Sequence, residues 1–271
     1  MKLNLTALVQ SLSISAAATV VTFATATPTF ALSITQESDS NILLNDLLGS
    51  TKGLSNFTVT KTGLDAAFGR FSNDTVFGLG SGIVLSTGNA VDVVGPNNTS
   101  GQSGSGNAAE LSISFDSDGT SGKLFFQYVF GSEELLEYAG SSFNDSFELL
   151  LNGTNLAVLN NGKPLTINNL AASPTGPFDS ALIINKGNET QLDAYTKMLN
   201  FEGLLNKGAN QLVIKIRDVG DSSIDSAVLI KGGTLGVGSP EAIPTPALLP
   251  GLIGLGLGVV RKRKSQKSAE A

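Results

Sequence analysis

Residues 129–149 read VFGSEELLEYAGSSFNDSFEL, and residues 216–229 read IRDVGDSSIDSAVL. Glu133, Glu134, Asn144 and Asp145 in the first stretch, and Asp218, Asp221 and Asp225 in the second, stand between runs that are otherwise strongly apolar. Carboxylate and amide oxygens of this kind are the ligands of hard cations. Calcium takes about six to eight of them at roughly 2.3–2.6 Å. In QLVIKIRD, alternation sets Leu212, Ile214, Ile216 and Asp218 on one face, and in DSAVLI it sets Asp225, Ala227 and Leu229 together. A buried carboxylate without compensation costs several kcal/mol, and the local cations are only Lys215, Arg217 and Lys231. The residues therefore predict a calcium site at one end of a β-sandwich, fed by both stretches. The plainer alternative is a set of solvated turn carboxylates, because Asp and Asn favour turns for local reasons. The spacing is not an EF-hand loop: D-V-G-D-S-S-I-D lacks the twelfth-position Glu and has its Gly too early.

Composition excludes other chemistries. The chain of 271 residues holds no His, no Cys and no Trp. Histidine-assisted nucleophiles, Cys or His zinc sites and thiol redox are thus ruled out, and only hard-oxygen sites remain. Residues 32–243 carry 22 acidic and 11 basic side chains, and five of the chain's 17 basic residues follow Val260. So acidic a region predicts no nucleic-acid partner.

The elements that must position the carboxylates are mostly strands. FTVT (57–60), GIVLST (82–87), ELSISF (110–115), KLFFQYVF (123–130), SFELLL (146–151), NLAVLN (155–160), QLVIKIRD (211–218) and SAVLIKGG (226–233) are short apolar runs between Gly, Asn, Asp and Ser clusters. Without regular helical crossovers they predict a mainly β, antiparallel sandwich, jelly-roll or lectin-like. One short N-terminal helix is expected over 38–49, with Ser38, Asp39 or Ser40 as its cap and Gly49 as its terminator. Residues 93–109 read as a surface loop, and 191–200 as a second short helix. Phe126, Tyr128, Phe130, Phe147, Leu149, Ile214, Ile216 and Leu229 are the expected core.

Both ends read as processing signals. Residues 1–31 have Lys2, a long apolar and small-residue run, and Thr29-Phe30-Ala31. They predict a signal peptide cleaved after Ala31, with Ala24-Thr25-Ala26 as a second possible site. Residues 236–246 read as linker and sorting motif, 247–264 as a transmembrane helix with its basic stop, and 265–271 as a cytoplasmic tail. From Ile243 to Val260 no charge interrupts 18 residues, and Arg261, Lys262, Arg263 and Lys264 follow as a membrane stop. Pro244-Thr245-Pro246-Ala247, the apolar helix and the basic end together resemble a PEP-CTERM sorting signal in its Pro-Thr-Pro-Ala variant. That resemblance implies processing by an exosortase-type transpeptidase after a signal peptidase has acted. A simple tail anchor is the alternative.

A wider resemblance covers roughly residues 38–232. Gly82-Ile83-Val84-Leu85-Ser86-Thr87-Gly88, Gly131-Ser132-Glu133-Glu134, Gly140-Ser141-Ser142-Phe143-Asn144-Asp145 and Asp218 to Val228 follow the pattern of choice-of-anchor L domains. The chain departs from it at Leu135-Leu136, where an aromatic and a Pro usually follow the Glu pair, and at Asp193-Ala194, where Gly usually follows the Asp. The resemblance implies an exported bacterial surface module, its domain spanning 32–235. It would be briefly anchored in the inner membrane through its removable helix, then reach the cell surface or extracellular matrix. The expected function is non-enzymatic: a calcium-stabilised module that binds exopolysaccharide or surface proteins. A carboxylate-dependent glycoside hydrolase or lyase is the alternative. Glu133 and Glu134, adjacent on an expected strand, would point to opposite faces and could not flank one glycosidic bond, which leaves a pair such as Glu133 with Asp145 for that chemistry. Without Trp, only Tyr128, Tyr138 and Tyr195 offer a sugar an aromatic surface with a polar handle.

Overall fold

In ELSISF, SFELLL and QLVIKIRD every second residue is apolar, so one face of each strand must be covered. In the computed structural model, which describes residues 32–98, 107–187, 189–220 and 224–238, these three runs form the centre of one sheet. Its order is β2 (Leu54–Thr62), β5 (Ala108–Ser117), β12 (Gly208–Arg217), β7 (Ser146–Leu151) and β8 (Thr154–Asn155). The other sheet runs β1 (Ser33–Gln36), β3 (Phe68–Asp74), β4 (Gly80–Ser86), β13 (Ser226–Lys231), β6 (Lys123–Ser132), β10 (Ala194–Thr196) and β9 (Leu182–Ile184). A further strand, β11 (Leu199–Leu204), continues the edge of β6 beside β10. The registered pairs are antiparallel, the protein is mainly β, and helices are few.

The two sheets enclose the main core. Leu111, Ile113, Phe147, Leu149, Ile214 and Ile216 from the five-stranded sheet meet Phe126, Tyr128, Phe130, Val228 and Ile230 from the other. The ring of Tyr128 lies 5.2 Å from that of Phe147, and Phe126 stacks on Phe201 at 4.4 Å. The larger sheet is buried on its outer face as well. There Val84, Val129, Ala227 and Leu229 pack under Phe77, Leu79, Ala90, Val93 and Leu192. Leu229 is therefore buried as expected but belongs to this second core, because Val228 and Ile230 take the inner positions of the same strand.

The short helix α1 (Ser40–Leu47) begins as expected, with the Asp39 carboxylate accepting from the N–H groups of Asn41 and Ile42. Its end differs from expectation. Leu48 is the C-cap, and Gly49 is required for closeness: a Cβ there would lie 2.3 Å from the Gly233 carbonyl oxygen. The helix expected over 191–200 is replaced by β10 and β11. Leu192, Ala194 and Thr196 are all buried, a period of two that docks the segment on β6, where the Thr196 hydroxyl accepts from the Phe130 N–H at 3.1 Å. The strand expected over 155–160 ends at Asn155. The Asn155 amide oxygen accepts from the N–H groups of Leu149 and Ala157. Beyond it the chain folds back so that the Leu165 N–H meets the Ala157 carbonyl. A second short helix, α2 (Ile167–Leu170), follows.

Candidate functional site

Among the connections that cross from one sheet to the other at one end of the sandwich, three carry or border the carboxylates. They run from β4 to β5, from β6 to β7 and from β12 to β13. The register fixes this common end: Ser226 stands opposite Ser132, Ala227 opposite Ser86, and Arg217 opposite both Ser146 and Ala108. Every carboxylate that the sequence singled out, among the described residues, lies at this rim.

The connection from β12 to β13 touches the other two. The Glu133 N–H donates to the Asp225 carbonyl at 3.0 Å, the Asn144 N–H to the Val219 carbonyl at 3.0 Å, and the Val219 N–H to the Asp145 carboxylate at 2.8 Å. On the other side the Asp218 N–H donates to the Asn107 carbonyl. The Asp225 carboxylate lies against Gly88, where a Cβ would come within 1.8 Å of Oδ2. Any side chain at 88 would displace it. Glu133, Glu134, Asp145, Asp218 and Asp225 are all buried, none more than 8% exposed. Asn144 is half-buried, and its amide oxygen accepts from the Asn168 N–H at the start of α2. Asp221 lies outside the described residues, as do Ala31, the sorting motif Pro244 to Ala247 and the basic stop Arg261 to Lys264.

One expectation about this rim changes. Glu133 and Glu134 were read as alternating on a strand, yet β6 ends at Ser132 and both carboxylates are buried. The strand stops because the Glu134 N–H turns back onto the Ser132 hydroxyl at 2.9 Å, and the Tyr138 N–H closes a helical turn on the Glu134 carbonyl.

Sequence reasoning missed a bed of buried hydroxyls beneath the carboxylates. Ser86, Thr87, Ser132 and Ser226 end or begin the three central strands and are at most 1% exposed. The Ser226 N–H donates to the Thr87 hydroxyl at 2.9 Å, and the hydroxyls of Ser86 and Thr87 both donate to the Ser226 carbonyl. Their signal was present, a Ser or Thr at each strand end, but it resembles ordinary punctuation. Asp193 was also missed as a rim residue. Its N–H bonds the Ser132 carbonyl, and its carboxylate accepts from Asn97 at 2.8 Å. Burial pushes its carboxyl above the usual range, the Asn97 hydrogen bond opposes this, and the charge of Glu137 adds to the rise.

The cations nearest in sequence are directed elsewhere. Lys215 pairs with Glu110 at 2.9 Å and Arg217 with Glu148 at 3.7 Å. These positions alternate with the core residues of β12, so they are on the sheet's outer face. Lys231 ends β13, and Asp225 stands just before its start. Among the described residues no group of three or more carboxylates closes around one point. A cation here would need carbonyl, amide or hydroxyl oxygens as well, which calcium accepts. The tyrosines divide. Tyr128 is in the core, where burial pushes its phenol far up, and it cannot meet a sugar. Tyr138 packs edge-on to Phe143 and Tyr195 edge-on to Phe77, both half-buried. No described helix is long and apolar enough to cross a membrane.

The pattern of the choice-of-anchor L domain matches residues 32–236. No curated protein matches the chain. Among solved structures, a family 35 carbohydrate-binding module from an environmental isolate matches at 14% identity and a TM-score of 0.24, covering 59% of this chain and 90% of that one. The CBM51 module of Clostridium perfringens GH95, in complex with methyl-galactose, matches at 16% identity and a TM-score of 0.22, covering 54% and 86%.

Proposed function

We propose, from the premise that this chain belongs to the choice-of-anchor L domain family, that it is a non-catalytic bacterial surface module. Calcium fastens one end of its sandwich, and the module binds exopolysaccharide or neighbouring surface proteins. The observation that carries this reading is the burial of five carboxylates where three sheet-crossing connections meet. A hard cation among these like charges would offset their mutual repulsion and tie the connections together. The ion's ligands would be drawn from Glu133, Glu134, Asp145, Asp218 and Asp225, no three of which converge on one point among the described residues, together with the Asn144 amide and nearby carbonyl and hydroxyl oxygens, and Asp221 is the further ligand that the sequence offers. The same burial argues against the hydrolase or lyase reading. Carboxylates that flank a glycosidic bond must reach a bulky polymer, and these do not reach the surface.

In this reading the chain is exported by the signal peptide, held briefly in the inner membrane, and processed by an exosortase-type enzyme at the Pro244 to Ala247 motif. The mature form then begins near Leu32 and lacks the apolar tail. Intact mass spectrometry of surface-extracted protein tests the processing; recovery with residues 250–271 attached reduces the tail to a plain anchor. The binding function is tested by exposing the full chain to immobilised polysaccharides and surface extracts, in calcium and in chelator. Retention in calcium that weakens in chelator is the expected result. Polymer cleavage by the protein would overturn the non-catalytic reading.

A further inference from the structure

A second polar site stands where the sandwich opens at the β1 edge of the larger sheet. On β3, Phe68 is in the main core, and the residues in phase with it are Arg70 and Ser72. On β1, Ile34 is in the second core, so Ser33 and Thr35 share the inner face with them. Register sets Ser33 opposite Ser72 and Thr35 opposite Arg70, a four-residue polar patch at the edge of that face. All four are exposed. With Ser81 and Asp46 they line a cavity of about 400 Å³, within the range of small-ligand sites.

The cavity is held rigidly. Asp46 is in the last turn of α1, and its carbonyl accepts from the Gly233 N–H at 2.9 Å. The Leu235 N–H fixes the next carbonyl, that of Leu47, at 2.9 Å. The Asp46 carboxylate takes both Nε and Nη2 of Arg70, a two-pronged pair. Its charges cancel, and among the described residues no other charged side chain lines the cavity. Three of the five guanidinium N–H donors are left over, the carboxylate keeps acceptor capacity, and four hydroxyls can each donate or accept. Hydroxyl groups on a ligand, which also both donate and accept, complement such a wall. An anion does not, because the guanidinium is already neutralised.

We propose that this cavity binds a neutral, hydroxyl-rich saccharide unit, with Arg70 and Asp46 as its polar anchor. The inference deepens the module reading above and rests on its saccharide partner, but it does not depend on calcium. The test is binding of the full chain to an array of neutral polysaccharides (glucan, galactan, mannan) and anionic ones (alginate, pectate, sulfated galactan), with wild type, Arg70→Ala and Ser72→Trp. Thermal melts first establish that both variants fold. The expected result is retention on a neutral polysaccharide that added salt leaves unchanged, about tenfold or more weakened in Arg70→Ala, and lost when Trp fills the cavity. Equal binding by all three proteins would move the saccharide site elsewhere and overturn the inference while leaving the module reading intact. Retention only on anionic polymers, sensitive to Arg70, would overturn the neutral class. No retention on any polysaccharide would overturn this inference together with the saccharide half of the module reading.

Discussion

The two polar regions of this sandwich use charge in opposite ways. At the rim, Glu133, Glu134, Asp145, Asp218 and Asp225 are withdrawn from solvent on connections that leave one sheet for the other. At the β1 edge, Arg70 and Asp46 neutralise one another, and the hydroxyls beside them remain accessible. A buried set of like charges makes stability conditional on what compensates it. An exposed, self-neutralised pair contributes little to stability and leaves its hydrogen bonds available to a ligand. The rim therefore reads as a fastening, and the edge cavity as a recognition surface.

The largest effect should come from the core beneath both regions. Phe126→Ala removes a fully buried ring stacked on Phe201 and should cost about 3–5 kcal/mol. Chemical denaturation should give the same loss in calcium and in chelator. A loss confined to calcium would mean that the core and the rim are not separable.

Next is Gly88→Ala, whose new methyl would take the place of the Asp225 carboxylate. We expect a cost of about 1–3 kcal/mol, together with a smaller calcium-dependent rise in Tm. A variant with unchanged Tm in both conditions would remove Asp225 from the fastening.

Arg70→Ala should be the reverse case. The pair is half-exposed on its Arg side, so stability should fall by less than about 1 kcal/mol, equally with and without calcium. A calcium-dependent loss would erase the distinction between the two regions.

The smallest effect is expected at Asp193. Burial raises its folded-state pKa above the unfolded value, so the folded chain holds this proton more tightly. The group is then a liability above its folded pKa, and the liability disappears as pH falls to the ordinary carboxylate range. Asp193→Asn should raise Tm slightly near neutrality, and the gain should vanish on acidification. A gain that grew in acid would reverse the sign of this argument.

Where alternation was clean, the strands were legible in the sequence. SFELLL is β7 residue for residue, and the runs around ELSISF, KLFFQYVF and QLVIKIRD became β5, β6 and β12. Strands whose inner positions are not apolar were invisible. β3 carries Arg70 and Ser72 inward because it lines a cavity. β11 has Gly203 where a Cβ would meet Leu151 at 2.5 Å, so a neighbour's side chain fills the position that the pattern needed. The carboxylates were legible as a set, since charge between two apolar strands is conspicuous. The hydroxyl bed and Gly88 were not, because Ser, Thr and Gly end strands everywhere and only the register of β4, β13 and β6 brings these together.

The central claim is that calcium fastens the rim, and a thermal melt of the full chain in calcium, magnesium and EDTA tests it most directly, with Asp145→Asn and Asp225→Asn alongside. Calcium at about 100 times its Kd should add roughly 2.7 kcal/mol. Magnesium should substitute poorly, because it prefers a tighter octahedral shell and keeps its waters. Each variant should lose much of the calcium-dependent gain and less in EDTA. A wild-type transition that stays at the same temperature in calcium and in EDTA would contradict the account, and the buried carboxylates would then be held by the protein alone.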